Sequence, residues 1–455
     1  MDRNYILGKE KEFKALMKLS IPATIAMLVN AIYNIIDTIF IGRGVGSLGI
    51  AGLSIYLPIQ MIIMSVALLI GIGTSSIVSI KLGNNDLDGA NKVSGNLFLI
   101  ISIFSITLSI FGFLFAEEIV KIFGASIEVL PYAADYARTM FLGVLVFPFC
   151  VASNNLIRAE GNAKDSMNAM IIGMIANIFL DYILIYVFDF GIKGAGIATS
   201  ISKGLTFVYM IYYFNTKSYI KIKLKYLNID FNILKQIISI GSSAFITQAA
   251  MSLVALILNY SLYKYGGNQA VSVYGIVYKL TLFILMPLTG LVQGMQPIIG
   301  YSKGANNNNR INNILKVSII SSTIVSSVLT LVIFIAPKLI IGLFTTDTML
   351  INEGSNVIKL IILIYPLIGI YQVAIGFYQS IGKGSQSLFL SLLRQIIFFI
   401  PLSFILPLIS NLGLFGIWLA FPISDFLTIL VTLIFIKYQS KDLSINLLLR
   451  KKVAL

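Results

Sequence analysis

The sequence predicts an all-α polytopic membrane protein, with about twelve transmembrane helices in two six-helix lobes around a central cleft. Three observations support this fold class. Hydrophobic residues make up 57% of the 455-residue chain and charged residues only 11%, which is too apolar for a soluble protein. The apolar residues form about twelve runs long enough to cross a bilayer. The two halves of the chain also resemble each other.

The predicted spans follow one another with short polar breaks, and no stretch between them is long enough for a separate soluble domain. Their approximate boundaries are 19–41, 52–80, 95–115, 132–157, 165–187, 195–215, 236–262, 270–301, 314–335, 356–380, 386–409 and 413–437. The start of the chain is polar and leads directly into the first span, so we expect no cleavable signal.

Basic residues in the loops predict the orientation. One set of alternate loops is rich in them and includes Lys9, Lys81, Lys92, Arg158, Lys164, Lys221, Lys303, Lys383 and Lys437. The other set holds only Arg43, Lys121, Lys193, Lys264 and Lys338. Since cytoplasmic loops retain Lys and Arg, both termini are expected in the cytoplasm. We assign the net charge of +14 to orientation and to contact with anionic lipid rather than to nucleic acid.

A repeat at a spacing of about 220 residues predicts a duplicated fold. For example, Gly73–Gly83 matches Gly294–Gly304. Six spans in each half give the two halves the same orientation. We therefore expect a first lobe at 1–216, a basic cytoplasmic linker at 217–235 and a second lobe at 236–455. Two such lobes are typical of a transporter that alternates access between the two sides of a membrane.

Two acids lie in the middle of apolar spans of the first half, Asp37 and Asp181. A carboxylate at that depth costs about 2.5–3.5 kcal/mol, so it is seldom there without a use. Asn30, Tyr33 and Asp37 recur at steps of three and four, which predicts one polar helix face. Asn177 and Asp181, four residues apart, share a face in the same way.

These oxygen-bearing side chains, with the hydroxyl of Thr199, predict a site for H⁺ or Na⁺ at Asp37 and Asp181. Two carboxylates that lie close together resist ionising together, so such a site can take up a proton. The alternative is structural: each acid pairs with a base such as Arg138 or Lys203.

Charged and aromatic side chains also occur in the spans of the second half. Arg394 lies near the middle of one span, and Asp425 is the one mid-span acid of this half, so we expect the two to pair. A candidate substrate cleft suited to apolar cations comprises Gln248, Tyr274, Tyr278, Lys279, Met286 and Gln293. Packing is the alternative role for the aromatic and amide side chains among these six, and for Lys279 the alternative is a side chain that snorkels to the membrane surface.

Signatures of catalysis and of cofactor binding are missing. The chain has no GxxxxGK[ST] loop for ATP phosphates and no GxSxG nucleophile motif. It contains no histidine and one cysteine, Cys150, which excludes histidine metal sites and an intramolecular disulfide. We therefore expect neither an enzyme nor a protein with a cofactor or a structural metal.

Two segments of the second half carry a family resemblance. Tyr274-Gly-Ile-Val-Tyr-Lys-Leu and Met286-Pro-Leu-Thr-Gly-Leu-Val-Gln-Gly-Met-Gln-Pro-Ile-Ile-Gly-Tyr301 resemble the second-lobe signature of the bacterial MepA-like subgroup of the multidrug and toxic compound extrusion (MATE) family. In the first half, Tyr33–Gly42 and Asn177–Asp181 are similar to the family's first-lobe pattern. The resemblance covers nearly the whole length.

The resemblance implies a monomeric antiporter in the cytoplasmic membrane of a bacterium. It implies export of organic, often cationic, drug-like compounds in exchange for H⁺ or Na⁺ by alternating access. The coupling site that it implies consists of Asp37, Asp181, Asn177, Thr199, Tyr33 and Asn30.

One departure from the family concerns the second lobe. Some relatives carry acids there, whereas this chain has none between Ile361 and Gln379, so we expect coupling in the first lobe. Two alternatives remain at this point: a flippase for a lipid-linked oligosaccharide of the same superfamily, and a passive channel or facilitator.

Overall fold

The computed structural model describes residues 3–440, and the predicted positions of the two chain termini lie outside this range. The described residues are predominantly helical and form no β-strand, which confirms the all-α fold. Helix ends are formed by side chains suited to them: Asp86 accepts from the Gly89 backbone N–H at 2.8 Å, and Asn307 accepts from that of Arg310 at 3.0 Å.

The described residues of the first half form nine α-helices. They are α1 Arg3–Gly8, α2 Glu12–Gly44, α3 Ser47–Gly83, α4 Leu87–Leu114, α5 Ala116–Ile122, α6 Leu130–Val144, α7 Phe147–Ala159, α8 Ala163–Asp181 and α9 Gly191–Thr216. A π-helical segment, Tyr182–Val187, continues α8.

The second half repeats this plan. Its α-helices in the described range are α10 Phe231–Gly304, α11 Asn308–Ile335, α12 Pro337–Gly342, α13 Thr348–Ile361, α14 Ile368–Ser380, α15 Gly384–Leu392, α16 Ile400–Ile405 and α17 Gly413–Ser440. Two 3₁₀ segments, Ile362–Leu367 and Leu406–Asn411, and one π-helical segment, Leu393–Phe399, connect them.

The helices account for the predicted spans. Within the described range, nine helical segments are long and apolar enough to cross a membrane, and α6 with α7, bent by 44°, makes a tenth. The 74-residue α10 breaks at Gly267, where φ is 62° and ψ is −162°, so it contains the predicted spans 236–262 and 270–301. With α9, the count agrees with the twelve-helix prediction.

Prolines coincide with interruptions in two of the predicted spans. The span at 132–157 divides between α6 and α7, where Pro148 occupies the first turn of α7. The span at 356–380 is interrupted by the 3₁₀ segment that contains Pro366. Proline lacks a backbone N–H and breaks the helical hydrogen-bond pattern, which explains both interruptions.

The segment between α9 and α10 is irregular apart from a 3₁₀ turn at Leu224–Tyr226, and it is attached to the first lobe. The buried Glu160 carboxylate accepts from Ser218 Oγ at 2.5 Å and from the Ile220 N–H at 2.9 Å. Helix α10 starts at Phe231, before the predicted end of the linker, because Asp230 accepts from backbone N–H groups of its first turn.

The two lobes meet closely at the end that is predicted to be cytoplasmic. A Cβ added to Gly83 would lie 2.0 Å from the carbonyl oxygen of Tyr301, and one added to Gly304 would lie 2.0 Å from that of Ile80. These positions are equivalent in the repeat. Only glycine allows such a backbone approach, so α3 and α10 close the cleft at this end.

Candidate cation-binding site in the first lobe

Three helices bring five predicted site residues together. Tyr33 and Asp37 lie on α2, Asn177 and Asp181 on α8, and Thr199 on α9. All five side chains are buried. The spacing of four residues on α2 and again on α8 turns each pair towards the centre of the lobe, where the two helices pack against each other.

Thr199 links the polar side chains of the other two helices. Its hydroxyl lies 3.2 Å from the Tyr33 hydroxyl, and it accepts a hydrogen bond from Asn177 Nδ2 at 3.3 Å. A single hydroxyl on α9 therefore orients one member of the cluster on α2 and another on α8.

The Asp37 and Asp181 carboxyl groups lie close enough to interact electrostatically. Asp37 Oδ1, both carboxylate oxygens of Asp181 and the side-chain oxygen of Asn177 are buried and accept no hydrogen bond from any described residue. Since a buried acceptor without a donor costs about 1–3 kcal/mol, the arrangement favours binding of a partner that these oxygens can accept. A proton shared between the two acids, or a small cation, would be such a partner.

The chemistry of the site favours a monovalent ion or a proton. The described residues contain no group of three or more His, Cys, Asp or Glu side chains that could hold a metal. Two carboxylates, an amide and two hydroxyls are the oxygen donors present, which suits H⁺ or Na⁺.

Asn30 is not brought into this cluster. Its side chain is partly exposed, and within the described residues it makes no hydrogen bond to the other five. Its backbone carbonyl accepts from Asn34 Nδ2 at 2.7 Å. The spacing that correctly placed Asp37 and Tyr33 on one face thus did not bring Asn30 into the same network.

Lys203, which the sequence offered only as one of two possible bases for the acids, lies beside the cluster. Its ammonium lies 4.9 Å from the centroid of the Tyr33 ring and 5.7 Å from that of Phe147, and it interacts electrostatically with Asp37. It forms no salt bridge within the described residues. The available signal was its position four residues after Thr199, on the same face of α9.

The other proposed base, Arg138, does not reach either acid. Its guanidinium lies 3.5 Å from the Glu117 carboxylate, near the ends of α5 and α6. The pairing of each buried acid with its own base, which was the structural alternative for Asp37 and Asp181, is therefore not observed in the described part of the chain.

The second lobe contains the ion pair expected there. Arg394 Nε donates to Asp425 Oδ1 at 2.6 Å, and Nη2 contacts Asp425 Oδ2 at 3.4 Å and the Tyr365 hydroxyl at 3.3 Å. Asp425 is 1% exposed. The charges of Arg394 and Asp425 therefore neutralise each other.

The six candidate cleft residues all lie on α10. Gln248 is in its first part, and Tyr274, Tyr278, Lys279, Met286 and Gln293 follow Gly267; none of the six is fully buried. The rings of Tyr274 and Tyr278 are 5.8 Å apart between centroids. Gln293 lines a small cavity, partly open to solvent, between the lobes together with Ser76, Arg158 and Gln296.

Two repeated lobes of membrane helices, with a carboxylate pair buried inside one of them, define a two-lobed transport protein of the membrane. The family model described as MatE matches residues 22–183 and 243–405. The chain belongs to this family, the multidrug and toxic compound extrusion (MATE) transporters.

Relatives and solved structures agree with this assignment. The multidrug export protein MepA of Staphylococcus saprophyticus subsp. saprophyticus is 31% identical over 417 residues, which cover 91% of this chain and 90% of the relative. The MepA protein of Staphylococcus aureus strain N315 is 30% identical over 444 residues, 96% of each chain.

Among solved structures, that of a MATE protein in complex with MaD3S has a TM-score of 0.92 at 26% identity. An outward-facing conformation of a multidrug resistance MATE family transporter of the MOP superfamily has a TM-score of 0.91, also at 26% identity. Each comparison covers 98% of this chain and 99% of the other.

Proposed function

We propose that this protein is a secondary active multidrug efflux antiporter. It exports organic, often cationic, drug-like compounds in exchange for H⁺ or Na⁺ that binds at Asp37 and Asp181. The observation that carries this proposal is the set of buried acceptor oxygens without a donor at these two acids and Asn177. The relatives described as multidrug export proteins support the substrate class.

Helix α2 provides a physical route from the cation to the cleft. It carries Tyr33 and Asp37 in the site, while near its other end Ser20 Oγ donates to the Leu291 carbonyl of the second lobe at 3.3 Å. Pro22 lies between these two regions and removes one helical hydrogen bond. A cation that neutralises the acid pair changes the charge on α2 and biases the lobe contact, because it binds the two cleft conformations with different affinity.

The same proposal includes the setting of the protein. The two lobes, 1–216 and 236–455, move about the linker at 217–235 in a monomer, with both termini in the cytoplasm of a bacterium. The bilayer of the cytoplasmic membrane is its environment. The protein acts as a transporter without a bound cofactor, and it catalyses no reaction on its substrate.

The test is efflux from proteoliposomes with H⁺ and Na⁺ gradients imposed separately. The wild-type protein should accumulate substrate against its gradient. Asp37→Asn and Asp181→Asn should each reduce gradient-driven transport by about tenfold or more, the scale of a typical coupling free energy. Asp135→Asn is the matched control, since this acid of the same lobe already pairs with Lys193 at 3.3 Å.

Full coupling in both Asp37→Asn and Asp181→Asn would overturn the site assignment. Transport that never exceeds equilibration would instead identify a passive facilitator. Transport of a lipid-linked oligosaccharide without export of organic cations would identify a flippase.

A further inference from the structure

We propose that Lys203 determines the ion selectivity of the acid pair. Its ammonium acts as a tethered cation that keeps Na⁺ away from Asp37 and Asp181 and so makes H⁺ the coupling ion. This inference rests on the proposed function, because it concerns which ion the same site accepts.

The position of Lys203 makes it part of the wall of the site. It follows Thr199 by one helical turn on α9, and its ammonium lies 4.9 Å from the centroid of the Tyr33 ring. Tyr33 in turn contacts the Thr199 hydroxyl. The lysine therefore packs next to Tyr33 and Thr199, on the side of the cluster that faces Phe147.

Within the described residues, neither the Asp37 and Asp181 carboxyl groups nor the Lys203 ammonium forms a direct salt bridge. The acid pair has acceptor oxygens without donors, while the Lys203 ammonium rests against aromatic rings, which hold a cation by about 0.5–2 kcal/mol. By comparison, Lys217, directly after α9, closes a salt bridge to Asp165 at 2.9 Å. Lys203 interacts with Asp37 electrostatically, and its flexible four-carbon stem lets the ammonium approach the carboxylate.

A small space adjoins the Lys203 side chain. It is partly open to solvent and is lined by residues that include Tyr56, Gln60, Phe147, Thr199 and Lys203. The Lys203 side chain is therefore not packed on all sides.

The ammonium affects H⁺ and Na⁺ differently because the two ions need different surroundings. Sodium requires several oxygen ligands at once and retains its full charge beside the lysine. A proton needs one carboxylate oxygen and produces a neutral acid, whose remaining oxygen still accepts a hydrogen bond from an ammonium. Lys203 and a proton can therefore occupy the site together, whereas Lys203 and Na⁺ compete for the same oxygens.

The experiment measures binding of radioactive sodium to the purified full-length protein at one near-neutral pH, the same for every variant, and transport in proteoliposomes under each gradient. Lys203→Gln should bind Na⁺ on the order of tenfold more tightly than wild type, as expected when a unit charge near the site is removed. Its efflux should also become responsive to a Na⁺ gradient. Adding Asp37→Asn to Lys203→Gln should abolish the gained sodium binding.

Two controls separate charge at this position from other effects. Lys203→Arg keeps the positive charge and should exclude Na⁺ as the wild type does. Lys279→Gln removes an exposed lysine of the second lobe and should leave sodium binding unchanged. Lys203→Met provides a second neutral variant if Lys203→Gln does not fold.

Equal sodium affinity in wild type and in a folded neutral variant would overturn the inference, even if H⁺-driven efflux through Asp37 is intact. So would a wild-type protein that already binds Na⁺ as tightly as the neutral variants. Failure of the proposed function has a different signature, namely wild-type protein that is driven by neither gradient.

Discussion

The two lobes have the same arrangement of helices but differ in how their buried charged side chains are paired. In the second lobe, Arg394 and Asp425 form a direct ion pair with a shortest contact of 2.6 Å. In the first lobe, the Asp37 and Asp181 carboxyl groups face each other with oxygens that no described residue satisfies. We call Arg394 and Asp425 the closed pair, because they neutralise each other and stabilise their own lobe. We call Asp37 and Asp181 the open pair, because their oxygens are available to bind an ion.

The difference in charge pairing between the lobes involves residues at equivalent positions of the repeat. Helices α9 and α17 begin at Gly191 and Gly413, which have φ values of 53° and 51°. Counted from these glycines, Lys203 and Asp425 occupy the same position. A base in the first lobe thus corresponds to an acid in the second, and each lies beside the buried charge of its own lobe.

Breaking the closed pair should produce the largest loss of stability. Arg394→Ala leaves the buried Asp425 carboxylate without its partner, so we expect the free energy of unfolding to fall by about 3–5 kcal/mol. Thermal unfolding of the purified protein in detergent measures the effect. Arg43→Ala, at an exposed arginine at the end of α2, is the control and should be nearly neutral.

A double variant, Arg394→Met with Asp425→Leu, should recover most of this loss, because replacing both charges leaves nothing unpaired. A single Arg394→Ala variant as stable as the wild type would mean that the second-lobe pair is not structural, and the contrast between the lobes would fail.

Neutralising one acid of the open pair should not lower the free energy of unfolding in this way. Asp37→Asn removes a buried charge whose oxygen lacks a donor, so the free energy of unfolding should stay within about 1 kcal/mol of wild type or rise. The same thermal assay tests this expectation, now alongside the loss of coupled transport. A loss of stability as large as that of Arg394→Ala would show that Asp37 is held by a structural partner.

The smallest effect is expected at the hydroxyl that orients the open site. Thr199→Val keeps the shape of the side chain and removes its contacts to Tyr33 and Asn177, at about 1 kcal/mol for each hydrogen bond. We expect a slightly less stable protein whose H⁺-driven efflux falls by about fivefold, since 1 kcal/mol corresponds to that factor. Thr216→Val, at the exposed end of α9, is the matched control and should transport normally.

Helical spacing predicted which residues face the interior of the first lobe but not which of them meet. Tyr33, Asp37, Asn177 and Asp181 were identified from steps of four residues, and their side chains do converge. Asn30 satisfied the same pattern and stays apart. Seven residues before Asp37 correspond to about 10 Å along a helix, so a shared face does not imply a shared contact.

The pattern of apolar residues also did not predict the irregular segments within the spans. A proline marks two of these segments, at Pro148 and at Pro366, because the missing N–H is a local property of the residue. The π-helical segments after Asp181 and around Arg394 had no such signal, because they depend on how the helix packs against its neighbours.

Composition and periodicity alone established a membrane protein of two repeated lobes with acids buried in one of them. These properties follow from the solvent, since the hydrocarbon core penalises every charge and every unpaired backbone group wherever it occurs in the chain. The packing of α2, α8 and α9 decided that Asp37 meets Asp181 and that Lys203 rests on Tyr33. Those contacts join residues far apart in sequence, and their distances depend on how whole helices pack.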